Sequence, residues 1–153
     1  MAIRMSTALQ NHLLASGPLT SALAFGVIHI YSGPQPASAD LAPTGTLRAR
    51  ITNGGGVFNH GVQANGLLLQ ALPQYTTVVK APSQEWVLTP LSTGEVGWWR
   101  FKANTADADQ DSVSNIRLDG AIAPPYNELF LPSTTVIQGQ PQTLSMFQIG
   151  FNN

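Results

Sequence analysis

The chain has 153 residues, seven basic and eight acidic side chains for a formal net charge of −1, and no cysteine. One domain of this length buries a core unaided, the missing cysteine excludes disulfides, thiolate metal sites and redox nucleophiles, and the even charge balance argues against nucleic acid, which calls for a basic patch or stripe. Charged residues make up 10%, against roughly 25% in ordinary soluble domains, so the surface is largely neutral polar and apolar, which suits a protein held in a large assembly better than a free monomer.

No apolar run is long enough for a membrane span. Residues 1–18 (MAIRMSTALQNHLLASGP) carry one arginine, but Gln10, Asn11 and His12 interrupt the apolar stretch. A contiguous signal-peptide core is therefore missing, and secretion by that route is not expected. Thr7-x-x-Gln10 has the form of a capping box, and Gly17-Pro18 stops a helix. Leu9, Leu13 and Leu14 then line one side of a two-turn helix, which is marginal unless something packs on it. It is expected either as a lid over the β domain or as an arm that docks on a partner. Residues 1–20 are taken as this arm and residues 21–153 as the β domain.

Residues 25–32 (FGVIHIYS) are apolar on both faces and read as an interior strand. Residues 33–45 are too rich in Pro, Ala and Gly for regular structure. Residues 46–52 alternate, with Leu47, Ala49 and Ile51 inward and Arg48 and Arg50 outward. A turn at residues 53–56 and short apolar segments at 67–72, 76–80 and 85–89 follow.

The clearest signal is residues 96–103 (VGWWRFKA) with residues 114–121 (SNIRLDGA), two alternating segments joined by a polar loop. They predict an antiparallel hairpin. Trp99, Phe101, Ile116 and Leu118 face the core. Trp98, Arg100, Lys102, Arg117 and Asp119 fall on the other face, expected to be solvated, with an arginine lying over the indole. Further strands are expected at residues 128–131, 134–138 and 142–151. In the last, Leu144 and Met146 share one parity while Phe147, Ile149 and Phe151 share the other. A β-bulge, or a strand buried on both sides, accounts for the slip. Nine or ten short strands between Gly/Pro turns predict an all-β fold, a jelly-roll-like antiparallel β-sandwich with a short N-terminal helix or arm.

Chemistry is sparse. Asp107-Ala108-Asp109-Gln110-Asp111 begins like a calcium loop, but Ser112 and Leu118 stand where an EF-hand needs Gly and Glu. An irregular calcium site remains the alternative to a solvated loop, and no metal or cofactor is expected. His12, His29 and His60 have no metal-ligand spacing. There is no G-x-S-x-G elbow, and Glu85, Glu95 and Glu128 have no spacing that favours a glycosidase pair. The expectation is a non-enzyme. Three features suggest surfaces kept for partners: the short amphipathic start, the strand apolar on both faces, and the slipped alternation. Candidate partner-binding residues are Arg4, Leu9, Leu13, Leu14, Trp98, Arg100, Arg117, Phe147 and Phe151.

Residues 26–40 (GVIHIYSGPQPASAD), 44–47 (TGTL), and 97–101 (GWWRF) with 117–122 (RLDGAI) resemble, in order and separation, small virion proteins of tailed bacteriophages. The ending in a strand after STTVI is also similar, and the resemblance spans most of the chain. The Trp98-Trp99 pair and extra prolines depart from that pattern. The resemblance implies a head decoration (cement) protein that clamps the major capsid protein from outside, and the N-terminal arm and the last strand are expected to form a homo-oligomer (dimer or trimer) or to dock on capsid subunits. It also implies a place on the outer capsid surface after synthesis in the host cytoplasm; charge balance and the lack of a membrane-length apolar run leave no nucleic-acid or membrane partner expected. The competing expectation is a tail-associated or receptor/glycan-binding β-sandwich module, with Trp98, Tyr75 and Tyr126 stacking on sugars.

Overall fold

The computed structural model describes residues 3–122 and 128–150. Its centre is β2 (Val27–Tyr31), buried along its whole length between two antiparallel neighbours, as the apolar pattern on both faces requires. Those neighbours are β3 (Leu47–Asn53) and β8 (Trp98–Lys102). The sheet extends through β9 (Arg117–Ala121) to β1 (Arg4–Met5) on one side. On the other it runs through β6 (Trp86–Pro90) to β11 (Gln142–Thr143), making seven strands in the order β1-β9-β8-β2-β3-β6-β11. A smaller antiparallel sheet contains β4 (Leu69–Leu72), β5 (Thr77–Lys80) and β12 (Gln148–Gly150). A two-stranded ribbon pairs β7 (Gly94–Glu95) with β10 (Thr135–Val136).

The fold is thus all-β, antiparallel and sandwich-like, with a short N-terminal helix. Its core joins Ile28, Ile30, Ile51, Leu88, Phe101 and Leu118 of the large sheet to Leu69 and Ile149 of the small one. Phe147 sits among Trp86, Trp99 and Phe101, with ring centroids 5.3–5.9 Å away in tilted and edge-on arrangements. Aromatic pairs prefer these geometries, and each such ring brings a large apolar area out of water. The hairpin forms as expected: Trp99 opposes Gly120 and Phe101 opposes Leu118.

Two local expectations are corrected. Helix α1 (Thr7–Ala15) is capped by Ser6, one residue before Thr7. The Ser6 hydroxyl accepts from the N–H of Leu9 at 3.2 Å and from the N–H of Arg117 at 3.0 Å. Thr7 instead donates its N–H and hydroxyl to Asp40, at 2.8 and 2.6 Å. The slipped alternation is neither a bulge nor a strand buried on both sides. Leu144 ends a run in the large sheet, Ser145 and Met146 are exposed, and Phe147 opens a run in the small sheet. The parity changes because the chain changes sheets. The stretch expected as a separate arm is likewise built in: β1 forms an edge of the large sheet, and Leu9 is fully buried.

Candidate functional site

The strand register brings one row of side chains across the face of the large sheet that points away from the core. From β1 to β6 the row reads Arg4, Asp119, Arg100, His29, Arg50, Thr89. Lys102 and Arg117 stand beside it on the same face, so five of the seven basic residues meet there.

The solvated face expected for the hairpin is corrected: Trp98, Arg100, Arg117 and Asp119 are fully buried, and Lys102 nearly so. Two loops cover them. The Pro-rich stretch after β2 lays its carbonyls on the cations. Arg4 Nη1 donates to Pro36 O at 2.9 Å, and Arg117 Nη1 donates to Ala39, Asp40 and Leu41 oxygens at 3.3–3.4 Å. Trp98 Nε1 donates to Thr44 O at 3.2 Å. The acidic loop after β8 supplies counter-charges. Arg117 grips Asp107 with bonds of 2.6 and 2.7 Å, and Lys102 reaches Asp109 at 2.9 Å. Asp111 accepts from the Ala42 N–H at 2.8 Å, which ties the loops together.

The would-be calcium loop is therefore a counter-ion clamp. Its three carboxylates turn toward an arginine, a lysine and a backbone N–H instead of toward one point. Among the described residues no group of three or more His, Asp or Glu side chains converges as a metal centre.

The electrostatics follow from burial. Arg100 holds Asp119 through parallel bonds of 2.7 and 2.8 Å with neither side chain exposed. Its guanidinium lies 5.3 Å from the Trp98 ring centre, the cation–aromatic contact expected from the sequence, and Trp98 stacks on Tyr31 at 4.6 Å. Burial pushes Asp119 above the usual carboxylate range against the pull of Arg100. Burial also opposes ionisation of Asp107, but hydrogen bonds from Arg117 and the Asp109 N–H outweigh it and hold Asp107 at about 2. His29 is lowered to about 4 by burial, then by Lys102 and Arg50. Arg50 Nε donates to His29 Nε2 at 3.4 Å. Arginine can only donate, so Nε2 is the acceptor and the ring proton is on Nδ1, facing the Tyr31 hydroxyl at 3.4 Å.

The candidate partner-binding residues divide. Leu9, Trp98, Arg100, Arg117 and Phe147 are buried inside the chain and offer no side-chain surface to a partner. Arg4 and Leu13 are half-buried, and Leu14 is 85% exposed. Phe151 and Tyr126 lie outside the described residues. Sequence reasoning missed the His29–Arg50 pair, since only strand register makes these residues neighbours. It missed the Asp107–Arg117 clamp as well, although acidic and basic groups were visible ten residues apart.

A serine–histidine contact does exist, between His12 Nε2 and Ser21 Oγ at 3.1 Å. Ser21 gives its own proton to Pro18 O at 2.8 Å, so the imidazole donates to the hydroxyl, the wrong direction for activating a nucleophile. Two open hollows, of about 270 Å³ and 290 Å³, lie beside the acidic loop and between β5 and Met146. No helix among the described residues is long and apolar enough to cross a membrane. No family model, curated protein or solved structure matches this chain.

Proposed function

We propose that this chain is a structural head-decoration protein of a tailed phage, non-catalytic, which binds the outside of the major capsid protein lattice and stabilises the head. The observation that carries the reading is where the charge goes. Three of seven cations and three of eight carboxylates are locked in ion pairs on the loop-covered face of the sheet. The remaining exterior is largely neutral and carries dispersed apolar side chains, including Leu14, Val57, Tyr75 and Val113, each more than 60% exposed. Such a surface loses little by desolvation against a partner, and its affinity comes from area and a few anchors. The resemblance of residues 26–40, 44–47, 97–101 and 117–122 to tailed-phage virion proteins supports the major capsid protein as the partner.

The glycan-binding alternative loses its main residue, because Trp98 is buried against Tyr31 beneath Thr44. Of its described residues Tyr75, 67% exposed on the turn between β4 and β5, is left to stack on a sugar, and Tyr126 lies outside the described residues. Quantitative mass spectrometry of purified particles separates the two readings. Hundreds of copies per particle support head decoration; a few copies place the protein in the tail and overturn it.

A further inference from the structure

We propose that His29, once protonated, forms with Arg50 a site for a small oxyanion on the polar face of the large sheet. At neutral pH the two residues satisfy each other, since Arg50 Nε donates to the bare His29 Nε2. The Nη groups of Arg50 have no acceptor among the described residues, and Arg50 is half-buried at the margin of the loop-covered face. A proton on Nε2 turns the acceptor into a donor. Two cationic donors then face each other and need an acceptor between them.

No carboxylate of the surrounding elements is bonded to either residue. From β8 come Arg100 and Lys102, already held by Asp119 and Asp109. From β2 comes Tyr31, on the Nδ1 side of the ring. From β9, one strand further, come Arg117 and Asp119, each taken. Of the loop carboxylates, Asp107 is held by Arg117, and Asp109 gives one oxygen to Lys102; both favour the protonated ring by their charge, and neither is bonded to it. Arg100 Nη1 is itself buried without an acceptor, so donors already exceed acceptors on this face. A sulfate or phosphate ion provides both the negative charge and the several lone pairs required, and charge-assisted bonds of this kind are the strong ones. Thr89 opposes Arg50 in the β3–β6 register.

The test is the titration of His29 by NMR in sodium sulfate and in sodium chloride at equal ionic strength, with sulfate as the probe because it stays ionised throughout. The midpoint of His29 should lie about one unit or more higher in sulfate. Arg50→Gln should abolish the difference, and Arg50→Lys, which keeps the charge but not the fork, should lose most of it. Equal midpoints for the unaltered protein overturn the site, as does a difference that persists in Arg50→Gln. If the chain unfolds in chloride before His29 titrates, melting decides. The gain in sulfate over chloride should be larger at about pH 5 than at about pH 7.5, and Arg50→Gln should remove that excess. An equal gain at both values overturns the proposal.

Discussion

Arg100 and Asp119 face each other across the β8–β9 pair with two parallel hydrogen bonds and no exposure of either side chain. Desolvating both ions offsets most of their attraction, so the pair as a whole adds little stability, yet breaking it strands a charge. Asp119→Asn should destabilise the protein by about 3–5 kcal/mol. Replacing both residues together, Arg100→Met with Asp119→Leu, should recover most of that loss. Urea unfolding checks both. A single substitution that costs under about 1 kcal/mol would mean water reaches the pair.

Gly120 lies directly under the Trp99 indole. A Cβ there would fall 2.4–2.7 Å from three ring atoms, and the ring is fully buried, so it has nowhere to move. Gly120→Ala should cost about 1–3 kcal/mol through overpacking. Gly150→Ala is the control, since its nearest neighbour would be 3.5 Å away. Equal melting temperatures for the two variants would show that the indole shifts freely.

Acid should weaken the fold in two stages. His29 titrates at about 4 when folded against 6.5 unfolded. Between those values the unfolded chain binds more protons, so stability falls as pH drops through that window and is fully retained above it. The shift corresponds to about 3 kcal/mol. Asp107, at about 2 against 3.8, contributes stability above 3.8 that is lost as pH falls toward 2. His29→Gln should flatten the upper window and leave the lower one. Denaturant midpoints measured along a pH series give the slopes, and an unchanged upper slope in His29→Gln assigns it to another group.

Ser6 joins two elements with one hydroxyl, capping α1 and accepting from Arg117 N–H. An ordinary cap is worth about 1 kcal/mol, and a buried N–H left unpaired costs about 1–3 kcal/mol more. Ser6→Ala should therefore lose about 2–4 kcal/mol, while Thr7→Ala, at an exposed residue, should lose less. The order of the two unfolding midpoints is the check.

Strand periodicity made the hairpin, the central strand and the inward parity of Trp99, Phe101 and Leu118 legible. The mirror-image parity was misread for a physical reason. Alternation states which residues share a face, and a face of Arg, Lys and Asp reads as wet unless something covers it. What covers it is loop backbone, whose carbonyls and three aspartates carry no period. The change of sheet between Leu144 and Phe147 left only a parity slip, which a bulge imitates. The His29–Arg50 pair depends on the register between β2 and β3, which local sequence does not set.

The N-terminal segment offers the sharpest test of capsid docking, although removing it whole would confuse two effects. Deleting residues 1–16 takes away an edge strand, the Ser6 lock on Arg117 and the buried Leu9, so lost binding could reflect lost folding. Leu14 avoids this. It is 85% exposed on α1, and a substitution there should change stability by less than about 0.5 kcal/mol. A contact through this apolar side chain should resist moderate salt, unlike a charge-driven one. Leu14→Glu should thus melt like the unaltered protein but decorate purified capsids at least about tenfold more weakly, the effect of losing one buried anchor of about 1.4 kcal/mol. Sedimentation of capsids mixed with each protein gives the bound fraction. Equal decoration would remove Leu14 from the contact surface and leave the other exposed apolar side chains, Val57, Tyr75 and Val113, to be tested in turn.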